Sequence, residues 1–301
     1  MLRLISIIAV ALAFAVSPAA AQGASGNPFN VVATFSILGD FAKNVGGDRV
    51  SVTTLVGQNS DTHVYTPTPA DAKKIADAKL VIVNGLGLEG WLPRLVKSSG
   101  SKAVTVVATK GIAARKIEDG HSHDPSDADP HAWQSVPNAK IYVSNIRDAL
   151  IAADPAGVEA YKANAVAYLA KLDALDRDIR EAVAKIPSER RSVISTHDAF
   201  GYFAAAYGIK FIAPQGVSTE SEPSARDIAA IISQIKKQKI PAVFLENVSD
   251  PRLMRRIAAE TGANIGGTLY SDSLTDEKGP APTYIDMVRH NIKALTSALS
   301  S

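Results

Sequence analysis

Three of the six histidines in this chain stand in contexts that suit chemistry: His63 in DTHVYTPTP, His131 in DPHAW and His197 in STHDAFGYF. Taken singly, each is an ordinary surface or capping residue, and the surroundings set them apart. Prolines stiffen the first two loops, and His197 opens a strand-to-helix junction. Asp61 and Asp129 are placed to accept the second imidazole proton of His63 and His131. Asp272, in LYSDSL, adds a carboxylate. Three imidazoles and one carboxylate suit Zn²⁺, whose tetrahedral shell takes nitrogen at ~2.0–2.1 Å and carboxylate oxygen at ~2.0–2.2 Å. The sequence holds no cysteine, which excludes thiolate ligands and disulfides. Cation binding to such a set displaces protons from imidazolium, so affinity is expected to collapse as pH falls through about 6.

The elements that must bring these groups together follow from hydrophobic period and turn residues. Strands are expected at 31–35, 50–56, 80–84 and 103–108, with helices at 37–45, 69–78, 91–98 and 137–152. The second half repeats the plan, with strands at 192–196, 209–213, 242–246 and 264–270 and helices at 199–207, 224–238, 251–261 and 284–299. Four strands with crossover helices in each half dictate mostly parallel sheets, an α/β fold of two β/α lobes. His63, His131, His197 and Asp272 all fall just past strand carboxyl ends, where open α/β sheets build ligand sites. Each half supplies two, so a cleft between the halves would unite them.

Between the halves runs 154–187, read as one long connecting helix. Asp154 can cap it, Pro155 suits its first turn and Pro187 stops it. Val158, Tyr161, Ala165, Leu169, Leu172, Leu175, Ile179, Val183 and Ile186 form its apolar stripe. The alternative is a long helix buried inside a single domain. The expected organisation is a signal peptide at 1–21, an N-terminal lobe at 22–153, the helix at 154–187 and a C-terminal lobe at 188–301.

Residues 1–21 carry one early charge, Arg3, an apolar run and the small end Ala19-Ala20-Ala21, the pattern of a cleavable secretory signal. Without cysteine, a thiol-linked lipid anchor is not expected, and a soluble periplasmic protein fits best. The net charge of +2 and the absence of a dense Lys/Arg run argue against nucleic acid or anionic membrane as partner. An apolar content of 46% with alternating elements argues against disorder. A monomer is expected.

HVYTPTPADAKKIADA, VNGLGLEGW, DPHAW, STHDAFGYFAAAYGI and LYSDSL together resemble the periplasmic metal-binding receptors of the zinc and manganese ABC importers. The resemblance covers nearly the whole chain after the signal. It implies two β/α lobes joined by one long helix, a metal ion in the cleft on His63, His131, His197 and Asp272, and delivery to an inner-membrane ABC permease, with a periplasmic metallochaperone as a further partner class. Manganese receptors of this family usually carry glutamate at the third position. Here it is His197, so the resemblance leans to Zn²⁺ as transported ligand, with Mn²⁺ the second candidate. The physics agrees, since manganese favours oxygen-rich, higher-coordinate sites. The rival from another class is a zinc hydrolase. It needs an open position for water and a general base, and no HExxH helix is present.

Other residues carry two readings each. His121 and His123, with Asp124 or Asp127, read as a capture site for a second, weaker ion or as a solvated acidic loop. Glu246 and Glu222 read as outer carboxylates at the cleft or a substitute fourth ligand, or as structural and surface groups. Trp133 and Phe200 either shield the ligands from water or are plain core aromatics. Gly85-Leu-Gly-Leu-Glu-Gly90 is a helix-entry turn, since the acidic follow-up and lysine of phosphate-binding fingerprints are missing. His290 reads as a surface residue.

Overall fold

The computed structural model describes residues 27–117 and 128–300. The chain forms β1 (Phe29–Phe35), α1 (Ser36–Gly46), β2 (Val50–Val56), α2 (Pro69–Ala76), β3 (Leu80–Val83), α3 (Leu92–Ser99), β4 (Val104–Val107), α4 (Val136–Ala153) and the long α5 (Val158–Ala184). Then come β5 (Ser192–Ile194), α6 (Gly201–Tyr207), β6 (Lys210–Ile212), α7 (Ala225–Gln238), β7 (Ala242–Glu246), α8 (Pro251–Thr261), β8 (Asn264–Leu269) and α9 (Tyr284–Leu299). The strands build two four-stranded sheets of the same plan, β2-β1-β3-β4 and β6-β5-β7-β8. Every pairing between them is parallel. Buried parallel strands read as unbroken apolar runs because both faces are covered, and all four residues of β3, LVIV, are buried.

Local chemistry sets the element ends. Thr68 accepts from the Asp71 backbone while Asp71 reaches back to Thr68, a reciprocal cap ahead of Pro69. The turn after β3 places Gly85 at φ 84° and Gly87 at φ 83°, which a side chain would oppose. Glu89 Oε1 accepts from Asn84 N at 2.6 Å and Oε2 from Gly85 N at 3.1 Å. The chain's own carboxylate therefore fills the concavity that a phosphate would need, and this turn is a helix entry.

Each sheet is covered on one face by its own helices. Ile75, Val81 and Leu95 pack together under α2 and α3, and Ile231, Val243 and Met254 under α7 and α8. The other faces share one continuous core that includes Phe41, Tyr142, Leu172, Phe244 and Tyr284. Helix α5 packs on α1, α4, α6 and α9, so it is a wall of that common core rather than a bare strut. Its buried face follows the expected stripe at Tyr161, Ala165, Leu172, Leu175, Ile179 and Val183, with Tyr168 added. Val158 and Leu169 are only half-buried.

Asp154 does not cap α5. A 3-10 turn, Pro155–Gly157, intervenes, and Gly157 holds the cap position. Asp154 Oδ2 accepts from Arg49 Nε at 2.9 Å and from the Tyr161 hydroxyl at 2.7 Å. A Cβ at position 157 would run into the side chains of Arg49, Tyr161 and Asp154, so that close approach requires glycine. Among the described residues no helix is long and apolar enough to cross a membrane.

Candidate metal centre

Each of the four expected donors is aimed by its own loop. His63 lies between β2 and α2, where Asp61 Oδ1 accepts from the His63 backbone at 2.8 Å and Trp91 Nε1 donates to the Thr62 carbonyl at 3.2 Å. The second oxygen of Asp61 accepts from the Thr219 hydroxyl, across the cleft, at 2.6 Å. Both Asp61 oxygens are therefore engaged away from the His63 ring, and the expectation that Asp61 would take its second proton does not hold. The loop backbone needed that carboxylate more than the ring did.

His131 follows a different arrangement. Asp129 Oδ1 lies 2.9 Å from His131 Nδ1 and 3.0 Å from its backbone nitrogen, so one carboxylate fixes both ring and main chain. The Trp133 ring sits 5.2 Å from the imidazole, and its Nε1 donates to the Ser271 carbonyl at 2.9 Å. Trp133 thus packs against the His131 ring and braces the loop that carries Asp272.

His197 leaves the end of β5. Glu246 Oε1 accepts from the backbone nitrogens of Thr196 at 2.7 Å and His197 at 3.1 Å. Glu246 Oε2 stands 2.6 Å from His197 Nδ1. The ring N–H is not aligned on that oxygen, yet neither atom has another partner, so the short contact is taken as the pairing. Glu246 is therefore the carboxylate that flanks His197 on the side away from Asp272. Glu222 is exposed and lines a separate pocket of about 490 Å³ with Asp61 and Thr219.

The four side chains converge. One donor atom from each of His63, His131, His197 and Asp272 lies within 4.8 Å of all the others. The His63 and His131 Nε2 atoms are 3.2 Å apart, and Asp272 Oδ2 is 3.4 Å from His63 Nε2 and 3.1 Å from His197 Nε2. Asp272 Oδ1 is 3.6 Å from His131 Nε2 and has no hydrogen-bond partner although fully buried. His131, His197 and Asp272 are inaccessible, whereas His63 meets the surface at a pocket of about 680 Å³ walled by Val64, Tyr65, Leu86, Trp91 and Val217.

Electrostatics describe a site made for positive charge. Burial works against ionised Asp272, but His197 and His131 beside it hold its carboxyl well below the usual range. Burial likewise pulls His131 down, and Asp272 and Asp129 outweigh it and push the imidazole up to about 9. Against the same burial, Glu246 and Asp272 raise His197 well above its ordinary value. Proton competition at these rings therefore begins well above the pH of about 6 expected from free imidazole. Asp272, Asp129 and Glu246 surround the rings with carboxylates, Asp198 adds another near His131 and His197, and Arg115 Nε stands 3.7 Å from Asp129. A cation held among them would offset negative charge that Arg115 leaves.

Other expected residues fall elsewhere. Phe200 is buried and stacks on Phe211 at 4.6 Å, a core aromatic that leaves His197 alone. His290 is half-buried instead of exposed, with Nε2 3.1 Å from the Thr268 carbonyl and its ring against Tyr270. The histidines at 121 and 123 lie outside the described residues. Arg115 and Thr219 also brace the cluster and no local sequence signal marks them, whereas Ser271 and Ser273 flank Asp272 inside the LYSDSL motif.

The periplasmic zinc-uptake complex component A family, ZnuA, matches residues 31–298. The iron-binding protein YfeA of Yersinia pestis is 38% identical over 267 residues, 89% of this chain and 85% of that protein. The manganese-binding lipoprotein MntA of Halalkalibacterium halodurans is 38% identical over 275 residues, 91% and 90% of the two chains. The solved periplasmic zinc-binding protein TroA of Treponema pallidum superposes with a TM-score of 0.84 at 31% identity, covering 91% of this chain and all of its own. These names divide among iron, manganese and zinc.

Proposed function

We propose, given that the chain belongs to the ZnuA family of periplasmic metal-binding receptors of ABC importers, that the ion it carries is Zn²⁺, held by His63, His131, His197 and Asp272. Receptors of this family bind and hand over a metal ion and are not enzymes, so the ion is cargo. The donor set supports zinc: three imidazole nitrogens and one carboxylate gather around a single point. A tetrahedral zinc shell has donor-to-donor edges of about 3.3–3.4 Å. Four donor separations run from 3.1 to 3.6 Å, with Asp272 facing His131 through Oδ1 and His63 and His197 through Oδ2, and the donor set as a whole lies within 4.8 Å. Manganese asks for more oxygen than one carboxylate provides. The observations favouring Mn²⁺ are the kinship with MntA and with other relatives named for manganese, and the likeness to Mn-bound solved structures.

Zinc outcompetes manganese at most nitrogen sites, so affinity in vitro alone does not settle the cargo. The test is radioactive Zn²⁺ and Mn²⁺ uptake by cells with and without the receptor, beside metal titration of His63→Ala, His131→Ala, His197→Ala and Asp272→Ala. Zinc uptake should depend on the receptor, and each variant should lose affinity. Receptor-dependent uptake of manganese alone reverses the reading. The same proposal has residues 1–21 removed on export and a monomer with lobes at 22–153 and 188–301 about the helix 154–187. MntA is a lipoprotein by name, whereas this sequence contains no cysteine. The proposal is accordingly a receptor free in the periplasm that docks on the permease to release its ion.

A further inference from the structure

Asp272 follows β8 and belongs by sequence to the C-terminal lobe, but its loop is fastened mainly to the other lobe. On its N-terminal side the Ser271 carbonyl accepts from Trp133 Nε1 at 2.9 Å and Gln134 Nε2 at 2.7 Å. On its C-terminal side the Ser36 hydroxyl accepts from Leu274 N at 3.0 Å and faces Ser273 Oγ at 3.4 Å. Ser273 Oγ also accepts from Ser60 N at 3.3 Å and lies 3.3 Å from the Gly57 carbonyl, while Asn59 N donates to the Leu274 carbonyl at 2.9 Å. Three side-chain bonds run back to the C-terminal lobe, from Asn247 Nδ2 to the Ser273 carbonyl at 3.3 Å and, at the loop's start, between the Asn291 amide and the Tyr270 backbone at 2.9 and 2.8 Å. His197 is held differently: its backbone and ring answer to Glu246 within its own lobe. The lobes meet elsewhere through Tyr202, whose hydroxyl donates to the Asp129 carbonyl, and through Thr219.

We propose that Ser36 and Ser273 are positioning residues that bind the Asp272 carboxylate to the N-terminal lobe, so that the centre is three ligands on one frame and His197 alone on the other. Neither hydroxyl is among the converging donor atoms. Both are buried, and the pair closes a seam from the start of α1 to the residue after Asp272. A carboxylate on a loop gains precision only when its flanking peptide groups are pinned, and losing such outer support costs 10–100-fold in metal affinity.

The inference rests on the four-ligand reading above, and the experiment separates the two. Wild-type protein, Ser36→Ala, Ser273→Ala and the double variant are loaded with Co²⁺ for visible spectra and with Zn²⁺ for release into excess chelator. Zn²⁺ release should quicken about tenfold in each single variant. The double variant should add little, because both hydroxyls serve one seam. The Co²⁺ d–d bands should shift in all three, a change that general loss of stability does not produce. Wild-type spectra and release rates in the variants overturn the positioning role while leaving the ligand set standing. Failure of the wild-type protein to take up one ion sinks the ligand set itself. Should Ser273→Ala not fold, Ser36→Ala decides alone, since it frees Leu274 N without disturbing the contacts of Ser273 with Gly57 and Ser60.

Discussion

Replacing Glu246 by glutamine tests the reasoning about His197 most sharply. The Glu246 side chain is fully buried, takes two backbone N–H groups on one oxygen and meets His197 Nδ1 with the other at 2.6 Å. In Glu246→Gln the amide oxygen can keep the two backbone bonds, which turns its NH₂ group toward Nδ1. That amide donates, so the favoured imidazole carries its proton on Nε2 instead, the atom that faces Asp272 and the ion. The cation must then displace that proton without a carboxylate to stabilise the opposite N–H. Outer-partner losses at metal sites run 10–100-fold, or about 1.4–2.7 kcal/mol. The upper part of that range is expected, because Nδ1 has no other partner and the ring is inaccessible to water. Competition titration of Zn²⁺ against a fluorescent chelator at fixed pH measures the effect. Glu222→Gln, outside the donor cluster, serves as the control and should bind as wild type. Affinity in Glu246→Gln within about twofold of wild type, with the fold intact by circular dichroism, refutes the assignment of Glu246 as the partner that orients His197.

The ligand variants should not be equal. His63 alone reaches the surface, so water can replace its nitrogen, and His63→Ala should lose the least Zn²⁺ affinity of the four in the same titration. Asp71 is raised by burial but lowered more by Lys74, Thr68 and Tyr65, and it ends well below the ordinary carboxylate range. A depressed folded-state value stabilises the fold above the unfolded-state value of about 3.9 and loses that stabilisation as pH falls through the folded value. Urea unfolding should therefore show Asp71→Asn less stable than wild type at pH 7, with the gap closing toward pH 2; a constant gap contradicts the cause. Leu172 is fully buried in the core shared by α1, α4, α5 and α9, so Leu172→Ala should cost about 2–5 kcal/mol in urea unfolding. Zn²⁺ affinity should change little in that variant, and a large loss would mean that α5 sets the ligand geometry directly.

Secondary structure was legible where a periodic pattern met a strong stop, as at β3 with its run of four apolar residues and at α2 with Pro69 behind Thr68. The start of α5 was misread because Asp154 suits a cap by type, and only folding brings Arg49 and Tyr161 close enough to take its carboxylate instead. Asp61 and Asp129 look alike on paper, each two residues ahead of a histidine. Thr219, remote in sequence, draws Asp61 away from the ring, while Asp129 keeps its imidazole.

What the chain determined by itself was the inventory of donors, the absence of thiol chemistry and the strand ends just behind His197 and Asp272, because residue type and hydrophobic period are local properties. His131 instead lies far beyond β4, where Asn84, next after β3, donates to the Pro130 carbonyl. Tertiary structure decided that the four donors share one point, that Glu246 and not Glu222 supports His197, and that the loop of Asp272 is fastened to the opposite lobe. Those outcomes depend on distances between residues as far apart as Ser36 and Ser273. Such distances are set by the packing of the common core under α5, and no short stretch of sequence contains them.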